Sequence, residues 1–263
     1  MGYEALILRD AARAAATVRE FNQLGITSRC AQLIAAIWPE DTAELEAVGR
    51  RLCAGEFDWL VLTSANTVHV LAQLLNGRKL PERLRLAVVG AKTAQTAREL
   101  LGIEPDFTPQ VQSAAGMVEQ WRPEAGATIC YPHGDLASGT LAQGLARLPV
   151  TVSEAIAYHT VNAPAEGEVD KQPAPQGIES IAPEAVKDLL GELDLVLFTA
   201  PSIARRFVQL AGSSLPERCR TLAIGKPTAA AMKAAGLPVH AVAQDPGPKG
   251  LAAAAAALLH APN

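Results

Sequence analysis

D-L-V-L-F-T-A-P-S from Asp194, L-A-I-G-K-P-T-A from Leu222, A-A-G-L-P from Ala234 and P-K-G-L from Pro248 repeat an earlier part of the same chain. The first copy reads D-W-L-V-L-T-S-A-N from Asp58, A-V-V-G-A-K-T-A from Ala87, L-L-G-I-E-P from Leu100 and A-A-G-M from Ala114. Equivalent residues hold their separation: 136 from Thr63 to Thr199, 135 from Gly90 to Gly225, and 134 both from Gly102 to Gly236 and from Gly116 to Gly250. Landmarks in register over half a chain mark an internal duplication.

Both copies have one physical reading. Leu195 to Phe198 is a short apolar run of the kind that forms a buried parallel strand, Thr199 to Ser202 is turn chemistry, and Ile203, Phe207 and Leu210 mark a helix face. Leu222 to Gly225 is a second strand ended by glycine, and Ala229 to Ala235 a second helix closed by Gly236 and Pro238. Each copy is a strand, helix, strand, helix unit, which gives two similar α/β domains.

Composition agrees with two domains of about 100 to 150 residues each. The chain has 263 residues, 49% of them hydrophobic, and a net charge of -4. The start, M-G-Y-E-A-L-I-L-R-D, lacks a basic and then apolar leader, and no stretch reaches the roughly 18 apolar residues of a membrane span. Cys30, Cys53, Cys130 and Cys219 are scattered, which signals neither a disulfide framework nor zinc and places the chain in a reducing cytoplasm. The acidic balance and 4% aromatic content argue against nucleic acid.

Outside the copies, Ala5 to Leu8 reads as a strand with Arg9-Asp10 at its carboxyl end, where ligands gather in open α/β sheets. A helix with Ala14, Val18 and Phe21 follows, stopped by Gly25, and Ala31 to Ile37 reads as the second strand. Thr42 opens a helix with Leu45, Val48 and Leu52 on one face. Thr128 to Tyr131 is a strand entering a P-H-G-D turn at Pro132, followed by a helix with Leu141 and Leu145. Val150 to Val161 is one long strand. Asn162 to Gln176 has linker composition, Pro183 to Leu190 is a short helix, and Ala252 to Leu259 a terminal one. A parallel sheet in the second domain needs more strands than the late copy supplies, so the opening segment is assigned to it. The expected domains are 1–36 plus 162–263, and 37–161 with the connecting strands, leaving a cleft between them.

No metal spacing, P-loop, G-x-G-x-x-G or G-x-S-x-G appears. What recurs is a strand ending in small polar residues at a helix start: Thr63-Ser64-Ala65-Asn66, Gly90-Ala91-Lys92-Thr93, Thr199-Ala200-Pro201-Ser202 and Gly225-Lys226-Pro227-Thr228. Free N–H groups and the positive end of the helix dipole suit carboxylates or phosphates there. The same residue types cap helices, for about 1 kcal/mol, with no ligand present. Both readings stay open at each turn.

The order of seven motifs resembles the uroporphyrinogen-III synthase family. They are Leu62 to Ala65, Val89 to Ala94, Pro132 to Leu136, Ile156 to Val161, Phe198 to Ser202, Ala223 to Ala229 and Pro248 to Leu251. The resemblance covers nearly the whole chain and implies two flavodoxin-like three-layer α/β domains with parallel sheets, joined by a two-stranded linker. It implies a cofactor-free enzyme of tetrapyrrole biosynthesis, and a monomer is expected. The substrate would be hydroxymethylbilane, a linear tetrapyrrole with eight carboxylates, closed to uroporphyrinogen III with ring D inverted through a spiro intermediate. Left alone the bilane closes without inversion, so the protein must hold a geometry.

By the same resemblance, Tyr158 matches the tyrosine proposed to assist departure of the ring A hydroxyl, since a phenol with a pKa near 10 keeps a proton to donate. His159, the next residue on a strand, points the opposite way and reads as structural. An acidic chain has no bulk field to draw in an octa-anion, so local groups must bind it. Those are Arg9, Thr63, Ser64, Lys92, Thr93, His133, Thr199, Ala200, Ser202, Lys226 and Thr228. Departures from the family pattern fall at Ala200, which keeps the amide but loses a serine hydroxyl, at His133 and Ser138, and at Lys226, where proline is common. Asp10 and Asp135 read as caps or structural partners, Arg205 and Arg206 as a solvated helix face, and Lys249 as a weaker carboxylate contact on its turn. A non-catalytic module binding a tetrapyrrole or another polyanion on the same frame is the alternative, with a solute-receptor type of binding protein behind it.

Overall fold

The run Y-E-A-L-I-L forms β1 (Tyr3–Leu8), its last four side chains buried, in a computed structural model that describes Gly2–His260. Asp10 then starts α1 (Ala11–Gln23) by accepting the N–H groups of Ala12 and Arg13 at 3.0 and 3.2 Å. Ala14, Val18 and Phe21 are its buried face. Here the structure corrects the sequence reading. The second strand is β2 (Ile26–Cys30), and the expected strand at Ala31 to Ile37 shrinks to β3 (Ile34–Ile37), which belongs to a different sheet. In β2 only alternate residues face the core, with Ile26, Ser28 and Cys30 buried and Thr27 exposed. That half-buried pattern is a weaker signal than the apolar run beyond it.

After β3 come α2 (Ala43–Ala54), β4 (Trp59–Leu62), α3 (Ala65–Leu75), β5 (Arg85–Val88), α4 (Ala91–Leu101) and α5 (Ala114–Gln120). They lead to β6 (Thr128–Gly134), α6 (Thr140–Leu145) and β7 (Thr151–Asn162). The expected turn at Pro132 is part of β6, which stays paired with β7 to Gly134. Proline is tolerated there because the pairing of β6 with β4 has already ended at Cys130. The chain continues through β8 (Glu179–Ser180), a 3-10 turn at Pro183–Ala185, α7 (Val186–Leu189), β9 (Leu195–Phe198), α8 (Pro201–Ala211) and β10 (Arg220–Ala223). It ends in α9 (Lys226–Ala234), β11 (Ala241–Val242) and α10 (Pro248–Leu259). The expected P-K-G-L turn is the first turn of α10, begun by proline at its first position, where the missing N–H costs nothing.

Two compact units result: Met1–Ala35 with Asn162–Ala165 and Lys171–Asn263, and Ala36–Val161 with Glu166–Asp170. The first holds a parallel sheet ordered β11-β10-β9-β1-β2-β8. Apart from the two-residue edge β8, that is the 2-1-3-4-5 order of a flavodoxin-like sheet. Leu6, Leu8, Phe198, Phe207 and Met232 pack on one face, and Ile7, Phe21, Leu251 and Ala255 on the other, which makes three layers. The second sheet is ordered β3-β7-β6-β4-β5. Its faces are covered by Leu45, Val68 and Leu71 on one side and by Met117, Trp121 and Leu141 on the other. Part of the expected linker is docked on this unit: Val169 is buried and donates its N–H to the Ala36 carbonyl.

The duplicated landmarks do the same physical work in both copies. Asp58 accepts the Thr128 N–H at 2.8 Å and Asp194 accepts the Glu4 N–H at 2.9 Å, so each aspartate ties its strand to the start of the neighbouring one. Gly102 and Gly236 both end helices at positive φ, 66° and 76°. A side chain at Gly116 would collide with the Val111 carbonyl, and one at Gly250 with the Asp245 carbonyl, five residues back in each case.

Candidate functional site

Strand order fixes where ligands can bind. In an open α/β sheet the crevice lies beyond the carboxyl ends of the strands, at the point where the order of connection reverses. In the five-stranded sheet that point is between β4 and β6, and in the six-stranded sheet it is between β1 and β9. Thr63-Ser64 follows β4, while Arg9 follows β1 and Thr199-Ala200 follows β9.

At the β4 end, Ser64 has extended backbone and caps α3, its Oγ accepting the Asn66 N–H at 3.1 Å. The same oxygen accepts the Tyr158 hydroxyl, also at 3.1 Å. Tyr158 reaches it because β7 runs beside β6 with Gly134 opposite the tyrosine, across a register shift after His133. Glycine is required there: a Cβ at Gly134 would lie 2.4 Å from Cζ of the Tyr158 ring. The neighbouring hydroxyl, Thr63, hydrogen-bonds the side chain of Tyr131. Tyr131 is 2% exposed, and burial pushes its phenol up to about 12, against the lowering effect of the Thr63 bond. Two consecutive hydroxyls at one strand end thus meet two tyrosines. The sequence reading missed Thr63–Tyr131, because a strand tyrosine carries no signal of its partner.

His133 turns elsewhere. Its Nε2 lies 3.1 Å from Glu154 Oε2 and its Nδ1 lies 3.0 Å from the Gly134 carbonyl. Asp135 is a structural acceptor for the Leu136 and Thr160 N–H groups, both at 2.9 Å, and its other oxygen lies 3.4 Å from His159 Nδ1. At the start of α4, Lys92 is exposed and Thr93 is 6% exposed, its side chain turned into the unit. The Ala91 N–H donates to Gln112 Oε1 at 3.1 Å, so a glutamine never singled out in the sequence fills that helix start.

In the six-stranded unit the corresponding starts are bare. Ala200 precedes α8 and Gly225 precedes α9, both with extended backbone and neither first turn with a side-chain cap. Thr199 directs its hydroxyl to the Leu8 carbonyl at 2.6 Å, which joins the β9 end to the β1 end. Ser202 is half-buried in the first turn of α8, Lys226 is exposed, and Thr228 is 2% exposed. Arg9 lines a cavity of about 320 Å³ with Gln32, Ser180 and Glu184. Burial of its guanidinium, followed by repulsion from Arg13, lowers its pKa from the ordinary value, and Asp10 opposes that shift. Arg205 is exposed as expected. Arg206 is a correction: among the described residues its Nε is buried without a hydrogen-bond partner.

Among the described residues no group of three or more His, Cys, Asp or Glu is placed to hold a metal ion, and no helix is long and apolar enough to cross a membrane. A model of the family described as uroporphyrinogen-III synthase HemD matches residues 15–253. The uroporphyrinogen-III synthase of Chlorobaculum parvum is 27% identical over 249 residues, covering 90% of this chain and 91% of its own length. That of Synechococcus elongatus is 30% identical over 167 residues, covering 61% and 57%. A mutant uroporphyrinogen III synthase of Thermus thermophilus superposes with a TM-score of 0.64 at 19% identity, over 95% of this chain and 96% of that one. The uroporphyrinogen-III synthetase of Helicobacter pylori gives 0.53 at 15% identity, over the same shares. These two structural likenesses carry the fold.

Proposed function

The chain belongs to the uroporphyrinogen-III synthase family and is an enzyme of tetrapyrrole biosynthesis, and from that premise we propose how its residues close hydroxymethylbilane with inversion of ring D. Tyr158 assists loss of the ring A hydroxyl. The resulting azafulvene is attacked by the substituted carbon of ring D, and the spiro intermediate opens and recloses. The observation that supports this assignment is the Tyr158 phenol held on Ser64 at the reversal point of its sheet.

The eight carboxylates need donors. The uncapped first turns after Ala200 and Gly225 offer backbone N–H groups and the positive end of a helix dipole, and Ser202 adds a hydroxyl. Lys226 and Lys92 are exposed cations on first turns. Arg9 is a partly desolvated one, in which a carboxylate contact counts for more than in water. Thr63 and Thr199 hold the strand ends on which these turns stand, and buried Thr93 and Thr228 shape the turns from within. His133, tied to Glu154, acts on substrate by fixing the β6 end beside Tyr158. The four unpaired cysteines support action in a reducing cytoplasm, and we take the working form to be a monomer.

The test is to incubate the purified protein with freshly generated hydroxymethylbilane, oxidise, and separate the uroporphyrin isomers. Isomer III in excess over the spontaneous product is the expected result. Isomer I alone, at the uncatalysed rate, would overturn the proposal.

A further inference from the structure

The hydrogen bond between Tyr158 and Ser64 has a direction that bears on who hands over the proton. The phenol donates to Ser64 Oγ at 3.1 Å, and the same oxygen accepts the Asn66 N–H at 3.1 Å. A hydroxyl oxygen has two acceptor sites and one hydrogen. With both acceptor sites used, the Ser64 hydrogen must point away from both donors. We propose that Ser64, not Tyr158, is the group that delivers the proton to the departing hydroxyl, with Tyr158 supplying it from behind and Gly134 setting the distance between them.

This inference rests on the assignment of Tyr158 to hydroxyl departure. In the step, the ring A carbon–oxygen bond breaks with electrons from its pyrrole nitrogen. The leaving oxygen takes the Ser64 proton and departs as water. Ser64 takes the Tyr158 proton, which leaves a phenolate at Tyr158 and a cationic azafulvene. The proton lost when ring D recloses the macrocycle returns to the phenolate, so the pair is restored and the balance is one water released. Gly134 acts as a positioning residue. A Cβ at that site would sit 2.4, 2.7 and 2.7 Å from Cζ, Cε2 and Oη of Tyr158, so any side chain must push the phenol off Ser64. Duplication supplies a contrast: the position equivalent to Ser64 in the late copy is Ala200, where no such relay can form.

Turnover and KM of single and double variants test the relay. Tyr158→Phe is expected to lower kcat about 100-fold, within the range of general acid catalysis, and Ser64→Ala to lower it by a similar factor with KM changed less than about twofold. The double variant should be no slower than the slower single one, because two members of one relay do not add. Ser64→Thr keeps the hydroxyl and should recover most of the turnover. Gly134→Ala should slow the enzyme, and should have no further effect once Tyr158 is Phe. Ser64→Gly removes the hydroxyl while retaining a good helix start, so it replaces Ser64→Ala if the alanine variant does not fold. Multiplying losses in the double variant, or a Ser64→Ala effect confined to KM, would overturn the relay while leaving Tyr158 in its role. Full turnover in Tyr158→Phe would overturn both.

Discussion

The two copies of the duplicated unit share a backbone pattern and differ at the helix starts where chemistry is offered. In the early copy the helix starts are filled from within: Ser64 caps α3, Gln112 fills α4 and Ser113 caps α5. In the late copy the equivalent starts of α8 and α9 have no side-chain cap. Helix starts with unsatisfied N–H groups cost stability unless water or a ligand meets them. One copy has used its donors on the fold, and the other leaves its helix starts without a side-chain acceptor, where the proposed function places substrate carboxylates. Duplication fixed the architecture, and the choice of capping residue then divided the labour. Under the proposed function, backbone donors for carboxylates come from the late copy, while the Tyr158–Ser64 pair gives the early copy the proton chemistry.

The largest break in this contrast comes from filling a bare start. Ala200→Asp places a carboxylate at the N-cap of α8, where it will accept the Ser202 N–H, since Pro201 has none and the Ile203 N–H is accepted by the Ala200 carbonyl, and stabilise the helix by about 1 kcal/mol. It will also occupy the position proposed for a substrate carboxylate and repel it. The expected outcome is a higher melting temperature together with a KM raised roughly tenfold, equivalent to about 1.4 kcal/mol of lost binding. Steady-state kinetics beside a thermal melt checks both. Unchanged KM would show that the α8 start takes no part in binding.

The reverse experiment empties a filled start. Gln112→Ala removes the acceptor for the Ala91 N–H and should cost about 1 kcal/mol of stability, by the same capping rule. KM should stay within about twofold, because at the α4 start only the Lys92 side chain is proposed to meet substrate, and the backbone N–H of Ala91 is already taken by Gln112. A denaturant titration reports the first effect and the progress of isomer III formation the second. A marked fall in KM would mean that the emptied start recruits a carboxylate, and that the two copies are less divided than their caps suggest.

Much of this was legible in the sequence, and the reasons are specific. Long apolar runs such as Leu195 to Phe198 and the repeated glycines gave the strands, helix ends and fold class, because close approach and positive φ leave few residue choices. Ser64 and Asp10 were readable as caps from type and place alone. Strand β2 was not, since Thr27, Ser28 and Arg29 look like a loop until one knows that β8 covers only its last two residues. Gln112 was not readable either. It acts across 21 residues, and its only sequence trace is the absence of a side-chain acceptor near Gly90. Thr63–Tyr131 and Tyr158–Ser64 are likewise long-range pairs, decided by strand order and a register shift that no local pattern encodes.

The smallest expected effect separates the copies by pH. In the early copy the Leu86 N–H at the start of β5 is accepted by Asp106 Oδ2 at 2.8 Å. At the equivalent place in β10, the Thr221 N–H is accepted by His240 Nδ1 at 3.0 Å. A carboxylate accepts across the neutral and mildly acidic range, but an imidazole accepts only while that nitrogen is unprotonated. Burial of part of the His240 ring, then the nearby Arg220, lowers its pKa from 6.5. The unfolded chain therefore binds the proton more readily than the folded one, so this contribution is present above pH 6.5 and is lost as pH falls below it. Acidification from pH 7.5 to 5.5 should lower the protection of the Thr221 amide, taken relative to its intrinsic exchange rate at each pH, while Leu86 keeps its protection, and His240→Asn should abolish that pH dependence by offering an amide oxygen in place of the ring. Equal loss of protection at both amides would show that acid weakens the two copies alike, and would place the titrating group elsewhere than His240.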